Sequence, residues 1–155
     1  NHGELKGMGA TLVLFVICGA DYAILNIGDS RAYHFNNDAL IQITKDHTEG
    51  QRMLDLGLLT RKELSGFPAR KNLNRYIGYG QNGYVLQADE YYPILDNGVM
   101  LLCSDGISDY LPDSRISEIL HSANNLESAG KQLINEAVAS HNADNSTVML
   151  IPLRR

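Results

Sequence analysis

Tyr22-Ala23-Ile24-Leu25-Asn26-Ile27-Gly28-Asp29-Ser30-Arg31-Ala32-Tyr33-His34-Phe35 contains two strand-length runs separated by Gly-Asp-Ser. Both runs are rich in branched and aromatic side chains, which fit a pleated, half-buried surface. The glycine and aspartate between them interrupt an extended chain. Upstream, Ala10–Cys18 is almost wholly apolar, the pattern of a strand buried on both faces. Gly19-Ala20-Asp21 marks a turn. Downstream, Ala39–Thr44 follows the short polar turn Asn36-Asn37-Asp38. Connections this short predict a four-stranded antiparallel meander.

Beyond the strands the period changes. Asp46-His47-Thr48-Glu49 reads as a capping box opening a helix that ends near Gly57. Thr60-Arg61-Lys62-Glu63 repeats the signal for a one-turn helix that Gly66 and Pro68 end. Tyr84–Ala88, Tyr91–Leu95 and Val99–Cys103 have strand character, with Asp96-Asn97-Gly98 as a tight turn. Ile116, Ile119 and Leu120, then Leu126, Ala129, Leu133, Ala137 and Val138, recur at helical spacing, with Asp113 and Asn125 as N-caps. Thr147–Leu153 is a final strand. Strand runs, then helices, then a last strand predict an α+β fold with mostly antiparallel sheets.

The chain has 155 residues, 44% of them hydrophobic and 20% charged, which is ordinary globular composition for one domain. Thirteen basic against eighteen acidic side chains give a net charge of −5, which disfavours a nucleic-acid binder with a broad basic face. No apolar run reaches membrane-spanning length. Cys18 and Cys103 sit in apolar runs and read as small buried hydrophobes in a reducing, cytoplasmic setting. Gly78-Tyr79-Gly80-Gln81-Asn82-Gly83 matches a dinucleotide fingerprint, but no buried strand precedes it and no helix pattern follows. His2, His34, His47, His121 and His141 fit no ligand spacing, and neither Ser30 nor Ser104 has an adjacent strong base.

Three aspartates share one context. Asp29 follows the run ending at Ile27, Asp105 follows Val99–Cys103, and Asp144 precedes the last strand. Carboxylates on rigid strand ends, meeting at one sheet edge, would make a hard-oxygen pocket suited to Mg²⁺ or Mn²⁺. Taken singly, each also suits a turn or a cap, and spacing alone does not prove that they meet. Arg70, Lys71 and Arg75 form a basic cluster in an acidic chain, read either as a solvated loop or as an element meeting an anionic substrate.

Several blocks, in order, resemble the metal-dependent protein serine/threonine phosphatases of the PPM, or type 2C, family in its compact bacterial form. They are Gly7-Met8-Gly9-Ala10-Thr11, Asn26-Ile27-Gly28-Asp29-Ser30-Arg31-Ala32-Tyr33, Ile43-Thr44-Lys45-Asp46-His47-Thr48, Phe67–Gly78, Leu102–Asp109 and Asp144-Asn145-Ser146-Thr147-Val148. The resemblance implies a sandwich of mostly antiparallel sheets flanked by helices. It implies two Mg²⁺ or Mn²⁺ ions, with a third, and a metal-activated water that hydrolyses phosphoserine and phosphothreonine in phosphoprotein substrates. By the same resemblance Asp105 and Asp144 match ligands of the second metal, and Asp29 matches a carboxylate of the third, weaker one. Residues 46–71 fall where the family carries a flap, which puts Arg70 and Lys71 close to substrate.

The family's opening Asp-Gly-His-Gly-Gly block, with its bridging aspartate and proton-donating histidine, has no counterpart, and Asn1-His2-Gly3 does not replace it. The expectation is therefore that residues 1–155 are the C-terminal portion of one such domain, incomplete at the N-terminus. No catalytic residue is assigned within it, and it is expected to be inactive alone. The alternative is a pseudophosphatase acting as a binding or regulatory module. If early strands are missing, exposed sheet surface should drive dimerisation or strand swapping.

Overall fold

The computed structural model describes residues 8–19, 21–37, 39–78, 87–91, 97–140 and 144–153. Strands β1 (Leu12–Cys18), β2 (Asp21–Ile27) and β5 (Asp89–Tyr91) form one sheet in the order β1-β2-β5. Strands β3 (Arg31–Asn36), β4 (Ala39–Gln42), β6 (Gly98–Cys103) and β7 (Val148–Leu153) form a second, in the order β4-β3-β6-β7, with every pairing antiparallel. Helices α1 (Glu49–Asp55) and α2 (Arg61–Leu64) lie between β4 and β5 in the chain. Helices α3 (Asp105–Ser108), α4 (Asp113–Ser122) and α5 (Leu126–Ala139) separate β6 from β7.

The predicted four-stranded meander is incorrect. β1 pairs with β2, and β3 pairs with β4, but β2 and β3 belong to different sheets. Gly28, at φ +106°, redirects the chain between them. A Cβ at this glycine would also run into Thr11, so both the backbone angle and the space favour glycine.

Alternation along the strands produces two apolar layers. Tyr22, Ile24, Ala32, Met100, Leu102 and Leu153 pack together, joined by Val13, Phe15 and Tyr91, where the two sheets face each other. On the opposite face of the larger sheet, Tyr33, Leu101 and Cys103 pack against Ile107, Ile116, Ile119, Leu133 and Ala137 of the helices. β6 is thus buried on both faces. β1 is not, contrary to expectation: Leu12, Leu14 and Val16 are exposed on one face, and Ile17 near its end is 55% exposed. Cys18 is exposed as well, while Cys103 is buried, and neither forms a disulfide.

The caps decide the helix starts. Thr60 with Glu63 forms the reciprocal capping box that the sequence predicts, and Asn125, predicted as an N-cap, forms one with Ser128. The box assigned to Asp46–Glu49 does not form. Thr48 is the N-cap of α1, accepting from the Gln51 amide, and Asp46 pairs with Arg31 instead. Pro112 occupies the N-cap of α4, and Asp113 is its first helical residue. Strand β5 ends at Tyr91. The rest of the predicted Tyr91–Leu95 strand, most of Tyr84–Ala88, Asp96 of the tight turn, and most of the glycine-rich 78–83 segment lie outside the described residues. No helix among the described residues is long and apolar enough to cross a membrane.

Candidate metal and phosphate site

Strand register supplies the convergence that sequence spacing could not. Arg31 lies opposite Cys103, and Cys103 lies opposite Val148. Asp29 is two residues before the first position, Asp105 two after the second, and Asp144 four before the third. In an antiparallel sheet those offsets point to the same edge. The loops carrying Asp105 and Asp144 are then joined directly. The Ser104 amide donates to the Thr147 carbonyl at 3.1 Å, the Thr147 amide to Ser104 Oγ at 3.0 Å, and Ser146 Oγ to the Gly106 carbonyl at 2.9 Å. Gly106 sits so near the Asn145 carbonyl that a side chain would force the two loops apart.

The electrostatics carry the imprint of this crowding. Burial, then the Asp105 carboxylate, push Asp29 up to about 6, with Asp46 and Asp109 acting in the same direction. Burial, then Asp144 and Asp109, raise Asp105, against a bond from the Gly106 amide and the charge of Lys71. Hard, mutually repelling oxygens suit a divalent cation, which would relieve the repulsion. Among the described residues no three acidic, histidine or cysteine side chains make a finished coordination group. The donor chemistry therefore fits Mg²⁺ or Mn²⁺, while the arrangement is an acidic cluster and not a closed cage.

Opposite the carboxylates stands a basic wall. The cavity lined by Asp29, Asp105 and Asp109 is also lined by Arg61, Arg70 and Lys71. Main-chain bonds from Gly50 to the Arg70 carbonyl and from Glu49 to the Asn72 carbonyl hold this wall against α1. Lys71 reaches across to Asp109 at 2.5 Å and lies 5.9 Å from the centre of the Tyr110 ring. Arg75, grouped with Arg70 and Lys71 by sequence, is elsewhere, paired with Asp89.

Other residues at or beside the site escaped the sequence reading. Arg31 binds Asp46 through Nε and Nη2, at 2.8 and 2.6 Å, and donates from Nη1 to the Tyr33 hydroxyl. Asp109 enters the sequence reading only as the last residue of the Leu102–Asp109 block. His47 carries no metal-ligand spacing and is nevertheless buried beside the Asp29 turn.

No family model matches the chain. The serine/threonine phosphatase Stp of Listeria innocua is 32% identical over 148 residues, covering 96% of this chain and 58% of that protein. The crystal structure of the Mycobacterium tuberculosis serine/threonine phosphatase PstP/Ppp superposes with a TM-score of 0.89 at 32% identity, covering 99% of this chain and 64% of that one. The catalytic domain of PstP in complex with two manganese ions gives a TM-score of 0.77 at 33% identity, covering 96% and 60%. The chain thus spans less than two thirds of each of these relatives. Over nearly its whole length the chain is thus similar, in sequence and in fold, to bacterial serine/threonine protein phosphatases, in line with the PPM-family resemblance of its ordered sequence blocks.

Proposed function

We propose that this chain is part of a protein phosphatase that hydrolyses phosphoserine and phosphothreonine in phosphoproteins with Mg²⁺ or Mn²⁺. The reading rests on one observation above all: Asp29, Asp105 and Asp144 stand at the same edge of the β3-β6-β7 register, and Asp29 and Asp105 share a cavity with Arg61, Arg70 and Lys71. Asp105 and Asp144 are the proposed ligands of a central ion, and Asp29 of a third, weaker one. Bound divalent cations supply Lewis acidity and lower the pKa of a water. Water adds to phosphorus as the ester P–O bond breaks, leaving the hydroxyl side chain and inorganic phosphate.

The chain's own residues orient and neutralise. Arg70, with Arg61 beside it, offers positive charge to phosphoryl oxygens, and Lys71, on the same 46–71 flap-like segment, would exchange Asp109 for them. Arg31 is already matched by Asp46 and so serves the frame of the site. A cavity of about 290 Å³ suits a phosphorylated side chain better than a large cofactor. The phosphatase names of the relatives support turnover over a purely binding role. A cytoplasmic signalling role fits this reading. Self-association through the exposed apolar face of β1 also fits, and light scattering that finds only monomer at high concentration would dismiss it.

The test is Mn²⁺-dependent phosphate release from a phosphothreonine peptide by the protein that carries this chain. Asp105→Asn and Asp144→Asn should each lower kcat by more than about 100-fold, beyond the effect of losing a residue that merely supports a ligand. Undiminished release in both variants would overturn the assignment.

A further inference from the structure

His47 is 5% exposed, and both of its ring nitrogens are engaged. Nδ1 accepts from the Gly28 amide at 3.0 Å. The ring proton therefore sits on Nε2, which donates to Asp89 at 3.0 Å. The other oxygen of Asp89 accepts from Arg75, so a carboxylate held by a guanidinium fixes the tautomer. The main chain of His47 completes the grip, its amide donating to the Gly28 carbonyl at 2.9 Å. Asn26 adds a side-chain bond to that carbonyl. On the far side of the turn, Ser30 and Thr11 hydroxyls meet at 2.8 Å. Asp29 is the one residue between these two anchored points.

We propose that His47 is a positioning residue for the divalent-cation site. Its unprotonated Nδ1 holds the Gly28 peptide so that the Asp29 carboxylate is presented to the cation, and Asp89 with Arg75 keeps that nitrogen an acceptor. The inference rests on the reading of Asp29 as a metal-site carboxylate. His47 touches neither metal nor substrate, and acts through the backbone of the turn. The device does for a carboxylate what hydrogen-bonded partners do for metal-ligating side chains in general: it removes freedom before the ion arrives.

Two substitutions separate positioning from packing. Asn at residue 47 can place its Oδ1 where Nδ1 stands, keeping the acceptor for Gly28 while losing Asp89. Gln can reach Asp89 as Nε2 does, but leaves the Gly28 amide without its acceptor. Gln is closer to His in size, so a packing role predicts that His47→Gln is the milder change. Positioning predicts the reverse order. The measurements are Mn²⁺ affinity by calorimetry and amide hydrogen exchange at Gly28 in EDTA, both on the protein that carries this chain. In His47→Gln we expect Mn²⁺ affinity to fall about tenfold and Gly28 exchange to speed by a similar factor. His47→Asn should change both less. Gln milder than Asn in both readouts overturns the proposal. Asp29→Asn is the control. If it weakens Mn²⁺ binding while His47→Gln does not, positioning alone fails. If Asp29→Asn has no effect, or the unaltered protein that carries this chain binds no Mn²⁺, the underlying metal reading fails and takes the proposal with it.

Discussion

Replacing Asp29 by Asn should make the cation-free protein more stable, and the gain should depend on pH. The carboxyl rises from 3.8 to about 6 on folding, because burial and then Asp105 disfavour its charged form. The full difference corresponds to about 3 kcal/mol. The group is only partly buried, and solvent screening reduces this to about 1–2 kcal/mol. The folded-state value lies above the unfolded one, so the favourable contribution is complete below 3.8 and is lost as pH rises through about 6. Asp105 shifts in the same direction. Glu136 shifts the opposite way, to about 2, held by Arg115, so its contribution is complete above 4.5, is lost as pH falls toward 2, and is common to parent and variant. Urea titrations in EDTA at pH 4, 5.5 and 7 would measure the effect. We expect Asp29→Asn to match the parent near pH 4 and exceed it by about 1–2 kcal/mol at pH 7. With Mn²⁺ at 100 times its dissociation constant, the parent should gain about 2.7 kcal/mol, and the variant less. A variant that is equally stable or weaker at pH 7 without metal, or a gain that persists unchanged at pH 4, would refute the electrostatic reasoning.

Gly28→Ala should destabilise the chain by about 1–3 kcal/mol, since the positive φ and the contact with Thr11 both oppose a side chain; a urea midpoint within error of the parent would contradict this. Arg31→Met removes charged hydrogen bonds to Asp46 and should lose about 1.5–3 kcal/mol. It should also speed amide exchange at the start of the 46–71 segment, and unchanged exchange there would show that Asp46 does not anchor it. Leu133→Ala leaves a hole between α5 and the larger sheet and should cost about 2–5 kcal/mol by urea unfolding, with any loss below 1 showing that the helices repack.

Local signals told the truth where local forces decide, as at Asn125 and Thr60, whose side chains bond within their own first turn. They misled where a distant group competes. Asp46 has the right type and spacing for a cap, yet Arg31, fifteen residues earlier, takes its carboxylate. The apolar run from Ala10 to Cys18 predicts a strand, but not whether both faces are covered. Gly28-Asp29-Ser30 marks a break in extended chain without telling a hairpin from a crossover, because pairing partners are set by register across the whole sheet. The same limit applied to the carboxylates. Each was recognisable at a strand end, but only the Arg31–Cys103–Val148 row brings those ends together. His47 was least legible, since its partners, Gly28 and Asp89, lie 19 and 42 residues away.

A cluster of carboxylates would ordinarily relax by spreading into water. Here the groups that carry it are restrained from several sides: Gly28 by His47, the Asp105 loop by Thr147 and Ser146, and Asp46 by Arg31. Burial first, and then repulsion between these restrained carboxylates, raises the pKa of Asp29 and Asp105. Lys71 relieves part of it by meeting Asp109 from the basic wall, and so ties the 46–71 region to the acidic edge. A divalent cation entering this edge would meet oxygens already held near one another, at a cost in stability borne by the fold beforehand. The site's strain and its affinity would then share one physical origin, the rigid sheet edge that the β3-β6-β7 register creates.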